Sequence, residues 1–258
     1  MRHAAPGDET GLQLLDLRTG STLAWNLQLA RAPSFLHAGA RISPGSTLNA
    51  SRKLGIGWCF AALLASSAGA ETRVYGALAS NYVFRGVSWS DERASASAGL
   101  DWQHPTGIYG GGNVTSVSSG VELDGYAGYT RQVGMFSVDF GASLYDYSDE
   151  GYIDGEFREV YVGGQVGPVA VSIYRGRFDD VRYWYGEANA GIPAGPVTLE
   201  LHYGLADYGF GGNIDDIYAG IVAGWKGFDW RVRLTHREDG EDDVDAVLAI
   251  SRSWKVGR

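Results

Sequence analysis

Thiols, imidazoles and long apolar runs are nearly missing from this chain. Of 258 residues, one is cysteine and five are histidine, and no run of eighteen apolar residues occurs. The last absence excludes an α-helical membrane protein. It leaves a transmembrane β-barrel open, because alternating strands average out to a near-neutral mean hydropathy, here −0.14. Neither His-Glu-x-x-His nor Gly-x-Ser-x-Gly occurs, and the acidic residues have no metal-ligand spacing. No cofactor or metal is implied, and the chain does not read as an enzyme. Acidic pairs such as Asp149-Glu150, Asp179-Asp180 and Glu241-Asp242-Asp243 read as solvated loops, with weak Ca²⁺ binding as the alternative.

The longest apolar stretch, Leu54 to Leu64, is too short to cross a bilayer. It follows Arg52-Lys53 and precedes Ala68-Gly69-Ala70, the pattern of a secretory signal cleaved after Ala70. Cys59 lies inside it, so the mature chain has no thiol and no disulfide. Residues 1–47, with Pro6, Pro33, Pro44 and no sustained period, read as a non-structural or untranslated extension, 48–70 as the signal peptide, and 71–258 as one structural domain. Processing removes three acids and six bases from totals of 30 and 21, leaving 27 acids against 15 bases. That balance disfavours nucleic acid and anionic-lipid partners and favours cations.

What the chain does have is glycine, tyrosine and a repeat. Asp124-Tyr126-Gly128, Glu159-Tyr161-Gly163 and Asp216-Tyr218-Gly220 share one spacing, with a variant at Glu187-Asn189-Gly191. On a strand these positions share a face, while the intervening residues (Val160 and Val162, or Ile217, Ala219 and Ile221) are apolar. One apolar face and one acidic, glycine-rich face is the requirement of a membrane barrel. Segments of about ten residues recur at 73–84, 93–103, 107–117, 121–131, 135–147, 156–166, 168–178, 183–192, 196–206, 213–225, 227–237 and 243–255. Tight turns such as Gly167-Pro168 and Lys226-Gly227 alternate with longer polar connections such as Arg85 to Glu92. The expected fold is therefore all-β, a transmembrane antiparallel β-barrel of about twelve strands with both termini periplasmic. Aromatic girdles are expected at Trp102, Phe136, Trp225, Phe228, Trp230 and Trp254 on one rim, and at Tyr82, Phe84, Tyr145, Phe178 and Trp184 on the other.

On this parity the inward face carries more acids than bases. Asp124, Glu159, Glu187 and Asp216 are expected to form a partial acidic ring near the long-loop mouth, favouring cations. The alternative is a structural network in which these acids pair with Arg231, Arg233 and their neighbours. The function expected is a porin-like channel for passive diffusion of small hydrophilic solutes or ions, weakly cation-preferring. A non-conducting structural or ligand-binding barrel is the alternative, and an outer-membrane lipid hydrolase using the inward His202 is the less favoured one, since hydrolysis of lipid needs a triad facing the bilayer.

Ser80-Asn81-Tyr82-Val83-Phe84-Arg85-Gly86-Val87-Ser88, followed by Gly99-Leu100-Asp101, His104 and Gly107-Ile108-Tyr109, resembles the opening of the proteobacterial TorF-like family of outer-membrane porin-type proteins. The acidic-x-Tyr-x-Gly strands resemble it too, from about Val74 to Trp254. The resemblance implies a signal-bearing barrel in the outer membrane of a Gram-negative bacterium, with outer-membrane lipid and lipopolysaccharide, the barrel-insertion machinery and small solutes or cations as partners. It carries no substrate site. Asn81 stands where the family pattern suggests Asp, and the chain continues past Trp254 to Arg258.

Overall fold

The computed structural model describes residues 69–147, 156–178, 181–209, 213–238 and 244–256. The 1–47 extension, almost all of the 48–70 signal segment and the acidic residues Asp149, Glu150, Asp179, Asp180 and Glu241–Asp243 lie outside the described residues. The described strands are β1 (Glu71–Ala79), β2 (Val83–Phe84), β3 (Val87–Ser88), β4 (Ser95–Gln103), β5 (Ile108–Val117), β6 (Gly120–Val133), β7 (Phe136–Tyr147), β8 (Glu156–Val166), β9 (Val169–Phe178), β10 (Val181–Ala194), β11 (Val197–Asp207), β12 (Asn213–Trp225), β13 (Phe228–Glu238) and β14 (Val244–Val256).

Twelve of these, β1 and β4 through β14, form a closed antiparallel barrel in which β1 pairs with β4 on one side and β14 on the other. Closure leaves no strand edge, so every ladder group can be satisfied where water is absent. Thr72 pairs with Val256, which places both ends of the described barrel at the short-turn rim. The β12–β13 turn shows how that rim is kept tight: Lys226 and Gly227 both have positive φ, 54° and 77°, the two-residue primed turn that matches strand twist.

The side-chain alternation follows the sequence. Val160, Val162, Val171, Ile173, Ile221, Val232 and Leu234 are exposed on the outside, while Glu159, Tyr161, Tyr174, Glu187, Glu200 and Arg233 are buried inside. An apolar belt of this extent on a water-exposed surface would be a large hydrophobic liability, and on a membrane barrel it is the lipid face.

Two sequence expectations change. The first strand stops at Ala79 instead of running to residue 84, and the β2–β3 hairpin forms a separate two-stranded sheet. The long-loop aromatic girdle also fails at four of its five expected members. Tyr82, Phe84 and Tyr145 are buried in the lumen with Phe178 packed against them, and Trp184 alone of the five faces outward. Tyr145 and Phe178 lie on the inward parity of their strands, so proximity to a rim did not decide their direction. Phe136, Trp225 and Trp254 at the short-turn rim are exposed as expected.

Glycine and tyrosine pack across neighbouring strands at several places, and of the three motif glycines Gly128 faces a tyrosine while Gly163 faces Ser172 and Gly220 faces Arg233. Tyr126 lies over Gly111 on β5, Tyr109 over Gly128 on β6, and Tyr161 over Gly141 on β7; a Cβ at any of these glycines would collide with the ring. The glycine leaves a slot in the wall in which the neighbouring strand's tyrosine lies flat. Tyr126 then donates to Asp101 and Tyr109 to Asp139, so each ring is held at its tip as well.

Candidate functional site: a hairpin across the lumen

Residues 80–94, between β1 and β4, turn inward. Val83-Phe84 and Val87-Ser88 pair, with Arg85 and Gly86 at the turn, both with positive φ, 46° and 76°. The base of this hairpin is clasped by its own polar side chains. Asn81 Oδ1 accepts from Ser88 Oγ at 2.7 Å and Ser90 Oγ at 3.0 Å, and Ser90 Oγ accepts from the Tyr82 amide at 2.9 Å. Trp89 N donates to Tyr82 O at 2.7 Å.

One side of the hairpin is seated in an aromatic wall. Phe84 is fully buried among the rings of β7 to β10, and Trp89 stacks on Tyr147 with centroids 5.2 Å apart. Arg85 is the charged centre. Its Nη1 lies 2.8 Å from Glu159 Oε1, with both side chains at most 2% exposed, and its guanidinium sits 3.8 Å from the Tyr185 ring centroid. Glu159 also accepts from Tyr183 at 2.7 Å and Tyr145 at 3.3 Å, so the carboxylate is fully engaged. Tyr82 donates to Glu122 at 2.7 Å, tying the hairpin to β6 as well.

The opposite side of the turn touches the far wall. A Cβ on Gly86 would meet Arg237 Cβ at 2.5 Å and Asp216 Cβ at 3.0 Å, so the turn rests directly on β12 and β13. The hairpin thus bridges the bore. Beside it remains a small cavity of about 40 Å³ lined by Asn81, Arg85, His202, Asp216, Tyr218, Arg231 and Arg233, among others.

The expected site residues are distributed around this hairpin. Glu159 pairs with Arg85. Asp216 Oδ1 lies 2.8 Å from His202 Nε2, and Glu187 accepts from Tyr174 at 2.8 Å. Glu187 and Asp216 sit in one cross-strand row, each opposite Gly204. Asp124 stands apart on β6, opposite Asn113 and Tyr145. Arg231 and Arg233 converge on a different acid, Glu200, with Nε to Oε2 distances of 3.0 and 2.9 Å. His202 bonds Asn189, Asp216 and Tyr185, and no serine is among those partners.

Sequence reasoning placed Arg85 to Glu92 in an outward loop and so missed the residue around which the lumen is organised. The signal was present: a solvated loop has little use for Tyr82, Phe84 and Trp89, and Arg-Gly between two short β-prone pairs is a hairpin pattern.

Over residues 65–241 the chain matches the family described as "Bacterial protein of unknown function (Gcw_chp)". It belongs to that family. A search of curated proteins found no match. Among solved structures the barrel is similar to the KdgM porin in complex with disordered oligogalacturonate, with a TM-score of 0.51 and 11% identity over 71% of this chain and 99% of that one. It is equally similar to the KdgM porin alone, at 0.51 and 10% over the same shares. A more distant likeness, TM-score 0.37 and 16% identity over 70% of this chain and 63% of that one, is to OccK5 (OpdH) of Pseudomonas aeruginosa. At these identities the likeness is one of fold, and the fold is that of a porin barrel.

Proposed function

We propose that the protein is an outer-membrane channel of a Gram-negative bacterium, passing small hydrophilic solutes or ions by passive diffusion through a lumen narrowed by the inward hairpin. One observation carries the reading: a closed barrel with an apolar exterior and a tyrosine- and carboxylate-lined interior, crossed by a hairpin whose Arg85 is held on Glu159. The TorF-like resemblance points the same way, and its Phe-Arg-Gly-x-Ser motif is the hairpin itself. Short turns on one rim and longer connections on the other favour periplasmic termini, with the hairpin entering from the outer mouth. Outer-membrane lipid and the barrel-insertion machinery follow as partners.

The inward face favours weak cation preference. Asp101, Glu122, Asp124, Asp139, Glu159, Glu187, Glu200 and Asp216 outnumber Arg85, Arg231, Arg233 and Arg237 on the described lumen wall. The charges are also segregated, with three of the arginines on β13 and most of the acids on β4 to β8, so a permeating ion crosses a transverse field.

The deciding experiment is single-channel recording of refolded mature protein in planar bilayers. Small, hairpin-limited conductance that rises when residues 83–88 are replaced by a Gly-Ser linker is the expected result. A second reading, a non-conducting structural or ligand-binding barrel, is favoured by the completeness with which the hairpin bridges the bore. A verified folded preparation without current in both forms would establish it in place of the channel.

A further inference from the structure

Two arginines on β13 share a single acid. Arg231 and Arg233 both direct Nε at Glu200 Oε2, and Arg231 Nη2 donates to Oε1 at 3.1 Å, so both oxygens of the carboxylate are engaged. Of these three groups one positive charge remains unbalanced. Arg233 has the donor to express it: the side chain is 9% exposed, and its Nη2 is buried without a hydrogen bond. A buried donor on a charged group is costly to leave unmet, so an acceptor arriving at Nη2 gains more than it would at a solvated arginine.

The third copy of the sequence repeat puts Arg233 there. Glu200, Gly220 and Arg233 form one cross-strand row on β11, β12 and β13. A Cβ on Gly220 would meet Arg233 Cγ at 2.7 Å, so the glycine leaves the gap through which the arginine stem crosses β12 toward Glu200. Tyr218, two residues before that glycine, holds the guanidinium 4.1 Å from its ring centroid.

These side chains line the cavity beside the hairpin. Its volume of about 40 Å³ is room for about three water-sized groups, at roughly 10–15 Å³ each. Arg85, Arg231 and Arg233 border it against one acid, Asp216, which already meets His202 at 2.8 Å and Tyr185 at 3.2 Å. Thr235 adds a hydroxyl. Within an acidic lumen, this corner is basic.

We propose that the cavity is a subsite for the carboxylate group of a small monocarboxylic solute, received by Arg233 Nη2 with Arg231 beside it and Arg85 of the hairpin bordering the same space. The inference deepens the channel reading above and rests on it for the route by which the solute arrives. A carboxylate suits the site in three ways: it is planar like the guanidinium fork that meets it, its one carbon and two oxygens match the room, and its single charge balances two bases on one acid. Phosphate is bulkier and more highly charged on both counts.

The test uses the full barrel folded in detergent and titrated with acetate, binding being read by saturation-transfer difference NMR on the acetate methyl protons. Acetamide, alike in shape and uncharged, is the paired probe. The unmodified protein binds acetate and not acetamide. Arg233→Gln weakens acetate binding at least about tenfold, the equivalent of one hydrogen bond to a charged group. Glu200→Gln removes the competing carboxylate and strengthens binding roughly tenfold on the same scale, a gain that a merely structural arginine pair does not give and that keeps the test sharp should Arg233→Gln fail to fold. Arg252→Gln, beside the β12–β13 turn, leaves binding unchanged. Equal binding of acetate and acetamide, displacement of acetate by chloride at equal concentration, or an affinity that Glu200→Gln does not raise overturns the inference. Acetate binding in a folded barrel that carries no current overturns the channel reading instead and leaves the subsite in a ligand-binding barrel.

Discussion

At the scale of single residues, the Arg85–Glu159 pair dominates. Both groups lie in the aromatic interior, where an ion pair is tolerated because each partner offsets the other's desolvation, the carboxylate accepts from Tyr183 and Tyr145, and the guanidinium lies over the Tyr185 ring. Removing one partner leaves an uncompensated buried charge, at a cost of about 3–5 kcal/mol, whereas replacing both by apolar residues of similar size is far milder. Arg85→Ala and Glu159→Gln are therefore each expected to release the hairpin from the wall. Arg85→Met/Glu159→Met is expected to retain it better than either single change. Protease sensitivity of the 80–94 segment in the folded barrel measures this, and a double variant as labile as the singles would show that the pair is not the anchor. Arg85→Lys should only partly restore docking, since a lysine lacks the planar face that lies on Tyr185. Glycine acts at the same scale. Gly128→Val puts a branched side chain where Tyr109 lies, and overpacking of this kind costs about 1–3 kcal/mol; Gly125→Val, where an added Cβ meets nothing within 4 Å, should be much better tolerated in denaturant unfolding.

At the scale of elements, strand direction and strand face were legible in the sequence because both follow a period of two. The segments expected at 156–166 and 213–225 coincide with β8 and β12, and the outward valines and isoleucines follow the alternation of their strands. Parity gives a sharp test on β9. Ile173→Arg places a charge on the lipid face near mid-strand and should cost about 2–4 kcal/mol. Ser172→Arg, its neighbour, faces the lumen opposite Glu187 and should be near neutral, so equal losses of folded barrel would mean the faces are wrongly assigned. What alternation does not encode is the path of a connection. The Ser80–Ala94 segment is held by contacts reaching to β6, β8, β10, β12 and β13, from Glu122 to Arg237 in sequence, and no local pattern specifies which wall a hairpin will meet. The four acids were recognisable as inward for the same reason that their partners were not. Parity sets which way Glu159 points, but its pairing with Arg85, and that of Arg231 and Arg233 with Glu200, depends on tilt and stagger around the closed barrel.

At the scale of the whole molecule, selectivity depends on where the charges stand around the bore. Glu159 lies on Arg85, Glu200 on two arginines and Asp216 on His202, and Asp124 stands on the β6 wall opposite Asn113 and Tyr145, across the barrel from the arginines of β13. The field seen by a permeating ion should therefore come chiefly from the acid-rich wall. In a salt gradient the unmodified channel is expected to show a small cation-directed reversal potential. That potential should fade as ionic strength rises and the Debye length falls from about 10 Å at 0.1 M to about 3 Å at 1 M. Asp124→Asn should move the potential toward zero with conductance nearly unchanged. Glu159→Gln should do something different: with Arg85 freed, the hairpin loosens, conductance rises, and an unmatched cation shifts the potential further toward anions. If the two substitutions change conductance and reversal potential in the same proportion, the separation between a selectivity wall and a hairpin anchor is wrong. Anion preference in the unmodified protein would mean instead that the arginines of β13 control the narrowest point.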